Sequence, residues 1–506
     1  MTIVFAVIRV LETFAAPFYY LIAFFSNRKR IPPTANVILT TSATVLARKI
    51  RARELTCKQV VSAFVERCKE VNPIVNAIVE ERYEDALADA EKADKFLATT
   101  RLHVSQSQLQ REKPLLGIPI TIKECCSMKG MIFSTGVKRY EKRKAAYNGD
   151  AVQSLIKAGA IPIAVTSTPA YSLGIETFND LIGYTANPYD SRKSSGGSSG
   201  GEAALIASAA SVLGLGSDAG GSIRIPAAFC GIYGHKTSSN AIVSTNGHVT
   251  VFSQKPLLDM LSVGPLCRYA IDLQLAMDVL SDNKIQHSSM IDLQYIRIYH
   301  SHQFQRIFFA VDRTLSDKIS QAATHFETQH NCLVKQINVE EFHKIPEISL
   351  THFQKMTVLA TEKDISTREA RNCGNGVIKN ILKLVANGWL KNIWAMSDES
   401  YTKQIHNLKT KLSELLGSNG VLLMPTWSES ACYRYQSLSK TYNICYDYFT
   451  NALDLASTAV PVGYDCNDMP LSIQVVAARG CDHLCFKVAQ ELENLFGGWI
   501  PPYEHA

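Results

Sequence analysis

Two serines set among glycines are the residues whose type and spacing could do chemistry in this sequence. Ser198 lies in the run GGSSGG, and Ser222 lies in the run AGGSIR. A serine hydroxyl is a weak nucleophile that needs a neighbouring base. The glycines before Ser222 allow backbone N–H groups to turn toward one point, where they could stabilise the oxyanion formed when a serine attacks a carbonyl. The pattern therefore indicates acyl-transfer chemistry.

Simpler interpretations of the same stretch do not fit. A flexible linker is excluded because EAALIASAAS predicts a helix and VLGLG predicts a buried strand between the two serines. The letters GGSSG match a nucleophile elbow, but that motif needs a preceding strand, and NPYDSRKSS predicts a loop. Neither glycine cluster is followed by Gly-Lys-Ser/Thr, which excludes a phosphate-binding loop. From the residues alone the base stays open, with His235 either a general base or a structural residue.

The elements that must position these serines alternate between strands and helices. Apolar runs at 115–122 and 161–165 predict strands, and residues 152–157 between them predict a helix closed by Gly159. Thr56 is a suitable cap for an amphipathic helix that follows it. Further strands are predicted at 212–216, 296–300, 421–424 and 471–476. This alternation is typical of the α/β fold class.

The composition excludes several classes of protein. The chain has 506 residues, of which 46% are apolar and 19% charged, so it can bury a large core. A net charge of +6 without long basic runs argues against nucleic acid as a partner. The thirteen cysteines are irregularly spaced and odd in number, which favours buried free thiols over a disulfide framework. Their spacing predicts no metal site.

The N-terminal segment is a separate feature. Residues 2–25 form an apolar run that is long enough for a membrane span at about 1.5 Å per residue. Arg9 and Glu12 interrupt the run, and the basic letters SNRKR follow it. We expect a membrane anchor helix over residues 1–30, with its basic flank facing the cytoplasm. An interfacial helix and a cleaved signal peptide are the alternatives.

Four sequence blocks together resemble the amidase signature family of hydrolases. They read GIPITIKECCSMKG, GGSSGGEAALIA, GLGSDAGGSIRIPAAFCGIYGHK and MPLSIQVVA. The resemblance covers roughly residues 40–500 and implies a large mixed β-sheet sandwiched by helices. It places the catalytic domain at residues 34–504, within which the segment from about 280 to 410 carries no catalytic signature and is interpreted as an insertion or cap.

The resemblance also implies a catalytic triad without a cofactor. Lys123 falls on the family's lysine, Ser198 on its bridging serine and Ser222 on its nucleophile. In that arrangement, neutral Lys123 accepts the proton of Ser222 through Ser198, and the same relay later protonates the leaving amine. The family's pattern further places a cis peptide bond before the bridging serine, here between Gly197 and Ser198.

The residues around the nucleophile have implied roles as well. Backbone groups of Ala219, Gly220, Gly221 and Ser222 would form the oxyanion hole and bind the substrate carbonyl. Asp218 and Arg224 would orient this turn without contacting the substrate themselves. An ordinary surface ion pair is the alternative. The letters VTSTPAYS at 165–172 depart from the family's usual pattern beside the acyl site. The resemblance therefore indicates the type of reaction more firmly than it indicates the preferred substrate.

A second amphipathic segment bears on the substrate. In VIKNILKLVANGWLKNIW, apolar residues recur at helical spacing from Ile378 to Trp389, with Lys379 and Lys383 on other faces. Such a helix suits a membrane surface, although packing on the core is the alternative. Together with the N-terminal run, it favours a lipid-derived amide as substrate.

The sequence thus predicts a membrane-associated serine amidase that hydrolyses amides, or esters, of hydrophobic or fatty acyl chains. Its expected partners are a small lipid amide and an intracellular membrane, while a homodimer stays open. The nearest alternative is a family member that acts on a small polar amide. A catalytically inert, membrane-anchored binding protein is the alternative from another class. Transamidation of charged transfer RNA, which other members perform, is disfavoured by the anchor and the lack of a basic tract.

Overall fold

The computed structural model of the chain describes residues 2–100, 105–238, 242–248, 260–303, 311–337, 344–349, 351 and 398–505. The amphipathic helix expected at 377–394 lies outside these residues. The same is true of other parts of the segment 280–410.

Eleven strands in the described part of the chain form one mixed sheet in the order β1-β3-β2-β4-β6-β5-β10-β11-β9-β7-β8. Strand β2 is parallel to β3 and β4, whereas β4 and β6 are antiparallel. The strands are β1 (Ile78–Glu81), β2 (Pro119–Lys123), β3 (Ile161–Thr166), β4 (Leu213–Asp218), β5 (Tyr233–Lys236), β6 (Ser262–Cys267), β7 (Arg297–His300), β8 (Leu333–Gln336), β9 (Gly420–Pro425), β10 (Ala456–Tyr464) and β11 (Pro470–Ala477).

Helices flank this sheet, as the α/β class requires. They are α1 (Thr2–Phe24), α2 (Ala43–Arg51), α3 (Cys57–Val75), α4 (Tyr83–Thr100), α5 (Gln106–Glu112), α6 (Asp150–Lys157), α7 (Gly200–Ala207), α8 (Arg224–Phe229), α9 (Ala270–Leu280), α10 (Arg313–His330), α11 (Asp398–Leu416), α12 (Cys445–Ala452) and α13 (Asp482–Phe496). The predicted strands and the helices after Thr56 and before Gly159 are confirmed to within a few residues. Thr56 caps α3 through a capping box with Gln59.

The central strands are buried on both faces, which explains their continuous apolar runs. Every residue of β2, β3 and β4 is buried. Two strands from the segment interpreted as an insertion or cap, β7 and β8, extend the same sheet beside β9. That segment therefore contributes to the main sheet.

The N-terminal helix α1 lies against the catalytic body. Glu12 is only 8% exposed, and its Oε1 atom lies 3.7 Å from Lys440 Nζ. The hydroxyl of Tyr442 donates to Glu12 Oε2 at 3.3 Å. The other face of the helix is open, with Phe14 80% and Phe18 66% exposed. Within the residues that the structure describes, no helix is both long and apolar enough to cross a membrane, so the expected transmembrane helix is not supported.

Candidate active site

The three residues expected to form the triad lie at one edge of the sheet. Lys123 is the last residue of β2, Ser198 precedes α7, and Ser222 lies in the turn between β4 and α8. Because β2 and β4 are parallel neighbours, their carboxyl ends meet at the same edge, where α/β proteins commonly place their sites. The backbone N–H of Ser199 donates to the carbonyl of Ser222 at 3.0 Å. That bond ties the two serine-bearing turns together.

The amine of Lys123 is fully buried and contacts hydroxyl groups. Its Nζ atom donates to Ser198 Oγ at 2.7 Å and to Ser217 Oγ at 3.0 Å. Burial lowers the pKa of Lys123, although the nearby thiols of Cys125 and Cys126 act in the opposite direction. A lysine with a lowered pKa has a larger neutral fraction near pH 7 than an exposed lysine. In its neutral form the same amine could accept a proton from Ser198.

The glycine-rich turn before α7 is packed too tightly for side chains. The peptide bond between Gly197 and Ser198 is cis, as expected. A Cβ atom on Gly197 would lie 2.7 Å from the carbonyl oxygen of Gly174. Gly196 has a φ of +76°, and a Cβ there would lie 2.6 Å from Pro226 Cα. The glycines of GGSSGG therefore let Ser198 approach the neighbouring backbone closely.

The turn that carries Ser222 is organised around the carboxylate of Asp218. Its Oδ1 atom accepts from the N–H groups of Gly220 and Gly221 at 3.1 and 2.7 Å. Its Oδ2 atom accepts from the N–H of Ile223 at 3.1 Å. Two of the four expected oxyanion donors are thus bound to Asp218 in this structure. A substrate oxygen would have to share them, as three-centre hydrogen bonds allow.

Asp218 and Arg224 form a buried ion pair, so the alternative of a surface pair is wrong. Neither side chain is exposed, and the guanidinium makes two bonds of 3.0 Å to the two carboxylate oxygens. Burial alone would raise the pKa of Asp218, but the adjacent Arg224 outweighs it and holds that pKa well below its ordinary value. Arg224 also donates to three distant side chains, namely Thr450 and Asn451, each at 2.7 Å, and Gln474 at 3.2 Å.

Helix α12 covers the turn that carries Ser222 and leaves no space for side chains at its glycines. A Cβ atom on Gly220 would lie 2.5 Å from the ring of Tyr448, and one on Gly221 would lie 2.8 Å from Asp447 Cβ. Asp447 is buried with its Oδ1 atom 3.1 Å from Arg224 Nη1, and burial raises its pKa. No local motif marks Asp447 or Tyr448 of α12, so neither residue was predicted from the sequence.

A buried glutamate that the sequence analysis also missed fixes α7 to the sheet. Glu202 accepts hydrogen bonds from Thr121 Oγ1 at 2.5 Å and Thr166 Oγ1 at 2.6 Å. Burial raises its pKa to about 8, while the two threonine hydroxyls and Lys123 act in the opposite direction. In the sequence, the position of Glu202 in a helix of small apolar residues, EAALIA, could have indicated a buried carboxylate.

His235 has a position that suits a structural role. It lies on β5 with its Nδ1 atom 2.8 Å from Thr458 Oγ1 and its Nε2 atom 3.1 Å from Asp482 Oδ1. Burial lowers the pKa of His235, although Asp482 acts in the opposite direction. Both ring nitrogens therefore bond to residues other than Lys123 and Ser198.

Comparison with known proteins defines the class. The family model described as Amidase matches residues 59–486. The chain belongs to this amidase family, and it is an amide hydrolase.

The similarity extends to particular relatives over nearly the whole chain. The chain is 33% identical to fatty-acid amide hydrolase 2-B of Danio rerio, over 94% of this chain and 93% of the relative. It is 32% identical to fatty-acid amide hydrolase 2 of Homo sapiens, over 93% and 92%. A solved structure titled "Fatty acid amide hydrolase" superimposes with a TM-score of 0.72 at 20% identity, covering 92% of this chain and 86% of that one. This last likeness shows the shared fold.

Proposed function

We propose that this amidase uses Ser222, Ser198 and Lys123 to hydrolyse amides, and esters, of hydrophobic acyl chains at a membrane surface. The observation that carries the proposal is the buried 2.7 Å contact between Lys123 Nζ and Ser198 Oγ, beside the turn of Ser222. The names of the relatives, fatty-acid amide hydrolases, support the acyl class of the substrate.

The proposed reaction is a two-step acyl transfer. Neutral Lys123 takes the proton of Ser198 while Ser198 takes the proton of Ser222, and the freed Ser222 Oγ attacks the carbonyl carbon. The tetrahedral intermediate collapses when the amine leaves with a proton returned from Lys123 through Ser198. Water then loses a proton to the same relay and hydrolyses the acyl ester on Ser222, which regenerates the three residues.

The oxyanion of that intermediate would be bound by backbone N–H groups of the nucleophile turn. Ala219 and Ser222 supply donors, and Gly220 and Gly221 share theirs between Asp218 and the substrate oxygen. In this proposal the buried carboxylate of Asp218 fixes the direction of the N–H groups before substrate arrives.

Membrane association is proposed through one face of α1. Glu12, Tyr19 and Ala23 lie on the face toward the body, whereas Phe14 and Phe18 lie on the exposed face. A carboxylate paired with Lys440 and a helix lying along the body favour insertion into the bilayer interface over a span. The exposed residues Lys29 and Arg30 suit contact with anionic lipid headgroups, while Arg28 donates to the carbonyl of Tyr189.

Labelling with a fluorophosphonate tests the assignment of the serines. Ser222→Ala should abolish both turnover and labelling, whereas Ser198→Ala should slow acylation and leave slow labelling detectable. Ser320→Ala, on the exposed surface of α10, is the matched control and should behave as wild type. Labelling that survives in Ser222→Ala but not in Ser198→Ala would overturn the triad.

A panel of amides with different acyl chain lengths tests the substrate class. We expect kcat/KM to rise from short to long chains because a hydrophobic acyl site gains about 0.8 kcal/mol per buried CH₂ group. A preference for a small polar amide would overturn the proposed substrate and leave the serine mechanism standing.

A further inference from the structure

Three side chains able to bind a metal ion meet between α10 and α13. His325 and His330 come from the last two turns of α10, and Glu491 comes from α13. The Nε2 atoms of the two imidazoles lie 2.7 and 2.8 Å from the same Glu491 Oε1 atom. Their side chains are between 16% and 25% exposed, so an ion from solvent can reach them.

The geometry of this cluster is compact. The three ligand atoms lie within 4.8 Å of one another. Two imidazole nitrogens and one carboxylate oxygen form a three-residue set that zinc binds in proteins, at about 2.0–2.2 Å with one position left for water. Such a tetrahedral site needs ligand atoms about 3.3 Å apart, which small rotations of these side chains provide.

The surroundings of the cluster support a metal ion. Asn494 Nδ2 donates to Glu491 Oε2 at 3.2 Å, which fixes the orientation of the carboxylate, as residues around metal ligands commonly do. A groove of about 400 Å³ lies beside His330 and is lined by residues 289–293 and Lys487. It has room for the water molecule that would complete the coordination.

We propose that His325, His330 and Glu491 form a binding site for a zinc-class divalent cation. When the ion binds, each neutral imidazole carries its proton on Nδ1 and offers the Nε2 lone pair to the ion, which joins the end of α10 to α13. Because α10 packs on β7, β8, β9 and β11 while α13 packs on β10 and β11, the ion links two helices that already meet over β11. The site adds a structural cation to the amidase, and the proposed hydrolysis does not pass through it.

Cobalt substitution tests the identity of the ligands. The full chain is expressed with Cys466→Ser to remove an exposed thiol, freed of metal with a chelator, and titrated with Co²⁺. We expect one equivalent to bind and to give visible d–d bands of a tetrahedral nitrogen and oxygen site. A second cluster, Cys125 with Cys126 and His248, could compete for the ion. Thiolate charge-transfer bands would place the ion there and overturn the proposal.

Variants of the three residues distinguish a metal site from a hydrogen-bonded clamp, meaning a cluster that joins α10 to α13 by hydrogen bonds alone. His325→Ala and His330→Ala should each weaken Zn²⁺ binding at least about tenfold by calorimetry. Glu491→Gln keeps an oxygen that can accept from both imidazoles but is a poor metal ligand, so it should weaken Zn²⁺ binding while the metal-free protein stays folded. His406→Ala on α11 is the matched control and should bind as wild type.

Thermal unfolding supplies the second readout. A ligand that binds only the folded state raises Tm with its concentration, so Zn²⁺ should raise the Tm of wild type and of His406→Ala. The Tm of Glu491→Gln should not respond. A wild-type Tm that does not change with Zn²⁺, together with no calorimetric binding, would show that the cluster is only a hydrogen-bonded clamp.

Discussion

Lys123 Nζ and Ser198 Oγ are 2.7 Å apart, in a position where neither side chain is more than 1% exposed. The lysine reaches this position because it ends a fully buried strand, so its amine has lost its hydration. Loss of hydration disfavours the ammonium form and lowers the pKa of Lys123. The contact and the lowered pKa together are what a lysine base requires.

The first prediction concerns pH. We expect kcat/KM to rise from pH 6 into the alkaline range because the neutral fraction of Lys123 grows with pH. Lys123→Ala should lower kcat/KM about 10²–10⁴-fold, the usual contribution of a general base. Lys129→Ala, at an exposed position, is the control. A profile that flattens by pH 7, with activity lost in His235→Ala and kept in Lys123→Ala, would contradict the lysine base.

The second prediction concerns the buried ion pair. Arg224→Leu leaves the buried carboxylate of Asp218 without its cation, so it should lower the free energy of unfolding by about 3–5 kcal/mol. Arg479→Leu breaks a pair whose arginine is 62% exposed and should cost less than about 1 kcal/mol. Urea unfolding of both variants measures the difference. Equal losses would show that Arg224 does not compensate buried charge.

The third prediction concerns stability as a function of pH. The pKa of Glu202 is about 8 in the folded chain, against about 4.3 in an unfolded one, so the folded state binds the extra proton between these values. The protonated side chain of Glu202 therefore contributes its full stabilisation of the folded state below about pH 4.3. That contribution is lost as pH rises through 8. The free energy of unfolding should therefore fall less between pH 5 and 8 in Glu202→Gln than in wild type. Glu112→Gln, exposed on α5, should leave the slope unchanged, and equal slopes in all three proteins would refute the assignment.

The fourth prediction concerns the exposed face of α1. Changing Phe14 and Phe18 on α1, together with Phe25 directly after it, to serine should reduce binding to anionic phospholipid vesicles at least about tenfold, since each ring loses apolar contact with lipid. Activity on a water-soluble amide should not change. The control changes three exposed apolar residues of the body to serine, namely Val37, Met290 and Tyr295. Undiminished vesicle binding by a chain that lacks residues 1–30 would place the membrane contact elsewhere.

Local patterns were sufficient to predict the strands that carry the site. The apolar runs ending at Lys123 and Asp218 are short, β-branched or glycine-bearing, and bounded by turn residues, and both form buried strands. The glycine blocks indicated tight turns at Ser198 and Ser222, whereas their grouping with Lys123 was inferred from the family resemblance.

Long-range contacts could not be predicted in the same way. Arg224 bonds to side chains of α12 and β11, and Glu12 of the N-terminal helix lies beside Lys440. Nothing in the local sequence of either partner specifies the other, since the contacts arise from how the sheet folds. The binding of Gly220 and Gly221 to Asp218 is local, yet it depends on a backbone turn that residue types alone do not fix.

The partners of Arg224 also lie far along the chain from the turn that they hold in place. Lys123, Ser198 and Ser222 leave the ribosome early, but Thr450, Asn451 and Gln474 follow Arg224 by 226, 227 and 250 residues. Trp499, whose indole N–H donates to the carbonyl of Ala207 at the end of α7, emerges later still. A chain that ends before these residues thus carries Lys123, Ser198 and Ser222 without the side chains that hold Arg224 in place. The turn between β4 and α8 can therefore take its final form only after most of the chain has been made.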